Sequence, residues 1–172
     1  EHTSRREAET LREVAELIAS QGDLAESLER VAVLSAELLG MDDCSPVVRG
    51  RGELGLASSN DPDEERLWLA ALVRLRPDAE EGPPSFEPLV VPDASVDEDL
   101  GALAPHGCGS LIMIPLIQGM RVRGALVLSS SKRSLHPSSR RVALAGTIGR
   151  EVSLALDNAF LLQQARTRAA NL

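Results

Sequence analysis

Flat aromatic side chains are almost missing from this sequence, which has no tyrosine, one tryptophan and two phenylalanines in 172 residues. A planar ring ligand therefore finds few surfaces on which to stack. Cysteine is nearly as scarce: Cys44 and Cys108 lie far apart with no ligand-like spacing, which argues against a zinc site or a disulfide framework and fits a reducing, cytoplasmic setting. No apolar run approaches the roughly 20 residues that span a bilayer, and no charged-then-apolar leader opens the chain. Positive charge is not in surplus either. With a net charge of -8 the chain lacks the basic face of a nucleic-acid binder. Its one basic cluster, Lys132 to Arg141, runs into an apolar periodic segment and reads as a solvated helix end. Gly-rich phosphate loops, HExxH and Gly-x-Ser-x-Gly strings are all absent. The first residue is Glu1 rather than methionine, so the expectation is a segment of a larger polypeptide, which could itself be attached to a membrane.

What is present suits one domain over residues 1–172, with a core from 10 to 162. From Thr10 onward Leu11, Val14, Leu17 and Ile18 recur at helical spacing, and a second helix carries Leu24, Leu28, Val31, Ala32, Leu38 and Leu39 up to Gly40. Cys44 to Val48 and Leu54 to Ser58 read as paired strands across two glycines. Leu67, Trp68, Ala71, Leu72 and Leu75 mark a third helix, followed by an acidic, proline-rich loop from Arg76 to Pro84. Leu89 to Val91 is a short strand stopped by Pro92-Asp93, with a capped helical turn at about Asp97 to Leu103. Ser110 to Ile117 and Val122 to Ser129 form the strongest hairpin, in which Pro115 predicts an irregularity or an edge-facing position. After His136-Pro137-Ser138-Ser139 a long helix carries Val142, Ala145, Ile148, Val152, Ala155, Leu156, Ala159 and Leu162. The stripe fades over residues 163–172, as in a linker helix leaving the globular body toward an output domain.

Three strings in this order resemble the GAF domain family. They are Leu89-Val90-Val91-Pro92-Asp93-Ala94-Ser95, the hairpin from Gly109 through Pro115-Leu116 to Leu128, and Ala155-Leu156-Asp157-Asn158-Ala159 with Leu161-Leu162. The resemblance covers about Leu11 to Leu162. It implies an α/β (α+β) fold of GAF/PAS type: a central antiparallel sheet of about six strands, terminal helices on one face, and a ligand pocket, when there is one, on the other. It also implies a sensory or regulatory domain of a signalling protein such as a histidine kinase.

The chemistry available to such a pocket is limited. His106 and Cys108 stand just before the central hairpin, where a Cys–His dyad is one reading and a loop-shaping role is the other. A methionine sulfoxide reductase of this family uses several pocket cysteines, whereas only Cys108 falls near the expected pocket here. Bilin attachment resembles a cysteine followed by histidine; Cys108 is followed by Gly109, which argues against a bilin. Aromatic scarcity argues against haem as well, with His106 the only nearby axial ligand. The cyclic-nucleotide pattern of the family is also missing, because Ser131-Lys132, Leu135 and Arg140-Arg141 replace its asparagine, aromatic and acids. Asp93, Asp97, Glu98 and Asp99 read as solvated caps rather than a metal site. The expected activity is non-catalytic sensing of an unidentified small molecule by Trp68, Leu72, Phe86, His106, Cys108, Ser110 and Ile112, with the terminal helices passing its state onward. The alternative is a ligand-free module that forms a homodimer through those helices.

Overall fold

The computed structural model describes residues 2–19, 24–48, 74–75, 85–98, 100–101 and 107–171. Two helices come first, α1 (His2–Ala19) and α2 (Leu24–Leu39), followed by strands β1 (Asp43–Val48) and β2 (Leu89–Val91). A 3-10 turn (Ala94–Val96) leads on to β3 (Ser110–Gln118), β4 (Arg121–Ser130) and α3 (Ser139–Ala170). α1 begins well before Thr10, where the apolar stripe starts: residues 2–9 are mostly polar helix formers that continue the helix without contributing to the stripe. α2 stops at Gly40, as expected, and the stop is a Schellman cap. Gly40 has φ 65°, its amide donates to the Glu37 carbonyl, and the Met41 amide donates to the Ala36 carbonyl at 2.9 Å.

The strands pair antiparallel in the order β1-β4-β3-β2. Four strands are thus described where about six were expected. The expected strand at Leu54 to Ser58, the loop at Arg76 to Pro84 and the helix positions Leu67, Trp68, Ala71 and Leu72 lie outside the described residues, although Arg74 and Leu75 are helical as the spacing predicts. Among the described residues, no helix is long and apolar enough to cross a membrane.

Alternation along the strands separates two faces. Ile112, Ile114 and Leu116 of β3 with Leu126 and Leu128 of β4 point to one side, where they pack with Leu28, Val31 and Leu39 of α2 and Leu144, Ala145, Ile148, Val152 and Ala155 of α3. Leu111 and Met113 with Ala125 and Val127 point to the other side and join a separate buried cluster. The central strands are therefore apolar on both faces, which is why they read as continuous runs.

α3 lies very close to the second half of β3. A Cβ on Gly149 would meet Ile114 Cγ2 at 2.7 Å and the Pro115 carbonyl oxygen at 3.2 Å, so only glycine permits this approach. The expected irregularity occurs one step past Pro115, as a bulge between Leu116 and Ile117. There the Ile117 amide donates to Ser153 Oγ of α3 at 2.9 Å, and Ser153 is buried. Ser153→Ala leaves that amide without its partner, at an expected cost of about 1–3 kcal/mol. Faster hydrogen exchange at the Ile117 amide checks it; unchanged exchange would show that the bond contributes nothing.

α3 is capped by Ser138, whose hydroxyl accepts from the Arg141 amide at 3.2 Å. Its first turn is tied to both other helices: Arg140 pairs with Glu7 of α1 at 3.2 Å, and the Arg141 guanidinium lies over Gly40. Beyond Ala155 the helix emerges from the core, and Leu161 and Leu162 are exposed. The fading stripe read from the sequence has this physical meaning.

Candidate functional site

The sheet face turned away from the helices is built from Val47 of β1, Val91 of β2, Leu111 and Met113 of β3, and Ala125 and Val127 of β4, all buried. Leu75, Leu89, Cys108 and Val122 are partly buried against them. Part of the cover comes from the chain after β2. Asp93 caps the 3-10 turn with an oxygen that accepts from the Ser95 amide at 3.0 Å and the Ser95 hydroxyl at 2.6 Å; these bonds hold its carboxyl below the usual range. Asp97 repeats the device three residues past the turn's start, its carboxylate accepting from the Leu100 amide at 3.1 Å and its carbonyl from the Gly101 amide at 2.7 Å. Leu100 is thereby pressed fully into the cluster. Arg74 forms an ion pair with the same Asp97 carboxylate, joining the helical pair Arg74-Leu75 to this loop. Asp97 bonds the Leu100 amide as a cap does, but within an ion pair rather than in solvent; Gly101 is itself in a 3-10 conformation, and positions 99, 102 and 103 of the expected turn at Asp97 to Leu103 lie outside the described residues.

A backbone knot anchors the cover to the sheet. The Ala94 amide donates to the Gly109 carbonyl at 2.8 Å, and the Gly109 amide donates to the Ser130 carbonyl at 2.7 Å. Gly109 sits so near the chain after β4 that a Cβ would lie 2.4 Å from the Ser131 carbonyl oxygen.

The seven residues named from the sequence do not share this face. Cys108 belongs to it. Ile112 belongs to the helix-side core, and strand alternation puts Ser110 on that side as well. Ser110 Oγ is buried, with no hydrogen-bond partner among the described residues. Phe86 is also on the helix side: its ring lies beside Gly149 and under the Arg150 guanidinium, 5.7 Å from the ring centroid. Trp68, Leu72 and His106 lie outside the described residues. The reading missed Leu111, Met113, Ala125, Val127 and the Arg74–Asp97 pair. In a run apolar at every position, alternation separates the faces without saying which one meets the helices.

The two thiols are on opposite faces, Cys44 against the helix-side core and Cys108 against the other cluster. Burial, aided by the neighbouring Asp43 carboxylate, pushes the Cys44 thiol up to about 12. Burial also raises Cys108, whose thiol donates to the Ser110 carbonyl at 3.6 Å. Both are the opposite of an activated nucleophile, which needs a lowered thiol. The folded protein keeps Cys44 protonated where the unfolded chain, from 9.0 upward, loses the proton. Its stabilising contribution is therefore complete below pH 9 and is lost as pH rises toward 12. The chain has no tyrosine and only one lysine, Lys132, so few other side chains titrate in that window. Urea unfolding between pH 8 and pH 11 is expected to show a smaller alkaline loss in Cys44→Ala than in the parent. Parallel curves would refute the assignment.

Lys132, Arg133, Arg140 and Arg141 are exposed, as solvated turn and helix-end residues are. No group of three or more metal-ligating side chains converges among the described residues.

The GAF domain family matches residues 23–156. Among curated proteins, none matches the sequence. Among solved structures, the phycoerythrobilin-bound GAF domain of a cyanobacterial phytochrome aligns with TM-score 0.65 and 13% identity, over 91% of this chain and 97% of that one. The GAF domain from an Acinetobacter phosphoenolpyruvate-protein phosphotransferase aligns with TM-score 0.61 and 18% identity, over 90% and 94%. Free methionine-R-sulfoxide reductase from Neisseria meningitidis, solved with its substrate, aligns with TM-score 0.59 and 17% identity, over 89% of each chain. These three differ in function, and at such identities the likeness establishes the fold alone. Because the family match runs from the start of α2 to the middle of α3, across every strand of the sheet, the chain belongs to the GAF family, whose domains are typically sensory or regulatory parts of signalling proteins.

Proposed function

We propose that this domain is a non-catalytic sensor in a larger signalling protein: a small molecule occupies the sheet face opposite the helices, and α3 carries the change to an output domain. The observation behind this reading is the two-sided sheet. One face is filled by α2 and α3, while the other supports its own apolar cluster beneath a loop and an ion pair. Both clusters share β3 and β4, and Gly149 and Ser153 bring α3 into direct contact with β3. A shift of these strands on one side therefore moves the helix on the other. The two raised thiols on opposite faces favour sensing over a cysteine redox cycle. A small-molecule screen by thermal shift tests the reading, with Val127→Trp as the arm that fills the face. Hits that stabilise the parent and lose their effect in this variant support it; hits unaffected by the substitution would sink it.

A second reading, a dimerisation module with no ligand, has one observation in its favour: Leu154 at the middle of α3 and Leu161 and Leu162 on its later turns stand exposed. Light scattering across a concentration series separates the two readings. A dimer that binds no compound favours this one.

A further inference from the structure

We infer that the segment from Ser85 to Val91 is a clasped strap that ties the two faces of the sheet together, and that the state of the face opposite the helices reaches α3 through it. That α3 receives a signal by this route rests on the sensory reading above; the tie itself does not. Side chains along the segment divide between the faces. Leu89 and Val91 belong to the cluster opposite the helices, while Val90 packs against the helix-side core. Ahead of them the chain lies on α3. A Cβ on Gly146 would stand 3.7 Å from the Phe86 carbonyl oxygen and 3.9 Å from Pro88 Cδ, and one on Gly149 would stand 4.0 Å from Phe86 Cδ1. The Arg150 guanidinium closes over the ring, and the Ser85 hydroxyl shapes the bend by accepting from the Glu87 amide at 3.1 Å.

Among the described strands, β2 is the one best able to move. β3 pairs with β4 along nine residues and is buried on both faces, so displacing it disturbs close packing on two sides. β2 pairs with β3 over three residues. Beyond β2 the chain is fixed: the Pro92 carbonyl accepts from the Leu135 amide at 3.0 Å, and the Ala94 amide donates to Gly109. Ahead of β2, among the described residues, it is held by the clasp on α3, a seat formed by two glycines and one ring contact with an exposed arginine. Contacts of that kind are weak, so the clasp opens without unfolding the sheet. An occupant that shifts Leu89 or Val91 therefore pulls on Phe86. By reciprocity, a movement of α3 that lifts Phe86 pulls on Leu89 and Val91.

The experiment is methyl and amide NMR of the full chain in Arg150→Gln, in Gly146→Ala and, as a control on the same helix, in Arg140→Gln, which breaks the pair with Glu7 of α1 instead. Arg150→Gln removes the ring contact and favours the open clasp. Amides between Phe86 and Val91 are then expected to exchange about two- to fivefold faster, the range that loss of an exposed cation–π contact produces. Gly146→Ala adds a methyl at ordinary contact distance from Phe86 and Pro88 and favours the closed clasp. The Leu89 and Val91 methyl signals therefore move in opposite directions in these two variants, along one line through the parent, while Arg140→Gln leaves them in place. Unchanged exchange, signals off a common line, changes that stop at Phe86, or equal changes in Arg140→Gln overturn the inference. Leu89→Ala supplies the reverse arm: loosening the far face shifts the Phe86 ring signals, and unmoved ring signals overturn the inference as well. No compound is needed, so an empty ligand screen would sink the sensory reading and leave the strap standing. The opposite pair of results would sink the strap and leave β3 as the route.

Discussion

Gly109→Ala is expected to lower folding stability by about 3 kcal/mol, the upper end of what overpacking usually costs. The reason lies in which atoms are in the way. An added Cβ would sit 2.4 Å from the Ser131 carbonyl oxygen and 2.8 Å from the carbonyl carbon and oxygen of Lys132. All are backbone atoms, so no side chain can rotate aside and the chain after β4 has to move. That movement pulls on the Gly109 amide, which donates to Ser130, and on the Gly109 carbonyl, which accepts from Ala94. The substitution thus loosens the join between the sheet and the loop that covers the candidate site. In a domain of this size the loss corresponds to a melting temperature lower by roughly 6–12 °C. Gly101→Ala is the control, because among the described residues its Cβ would meet the Ser95 carbonyl oxygen at an ordinary 3.7 Å. Equal effects from the two glycines would show that the close approach at Gly109 does not matter.

Ile148→Ala is expected to cost a similar amount, about 3 kcal/mol. Ile148 is fully buried where α3 meets the sheet, among Ile114, Leu126 and Val152. Truncation forfeits the burial of three carbons and opens a cavity between two elements that cannot easily close on it. Gly149, the next residue, already holds α3 at the shortest distance from β3 that Ile114 allows. Urea denaturation gives the number directly. Leu161→Ala provides the contrast: at 62% exposure it should leave an isolated chain nearly unchanged. If α3 pairs with a second copy, the same substitution would instead weaken stability in a concentration-dependent way, so the comparison also bears on the dimer reading.

Much of this molecule was legible in the residues because local rules decide it. Gly40 had to end α2, since its left-handed conformation serves the cap; Ser138 had to begin α3; Asp93 had to stop β2; and the paired runs around Gly119 had to form the central hairpin. The family resemblance rested on the same strings, and the match over residues 23–156 bears it out. The candidate site was less legible. Phe86 and Ile112 were placed with Cys108, yet they pack toward α3, on the other side of the sheet. Placement along the chain suggested a pocket for Phe86, while the signal that it covers a helix, Gly146 and Gly149 one turn apart on α3, lay some sixty residues away in sequence.

The sequence by itself determined the helices and strands among the described residues, their order, and the caps at Gly40, Asp93 and Ser138, because propensity, capping and alternation act over a few residues. Tertiary structure alone decided which side of the sheet the helices take, that Cys44 and Cys108 are separated by it, and that Arg74 meets Asp97 across 23 positions. The physical reason is the same in each case. In a sheet apolar on both faces every side chain gains by burial, so the composition of a strand is nearly indifferent to which face is covered. That choice is made by partners distant in the chain, through close approaches such as that of Gly149 to Ile114.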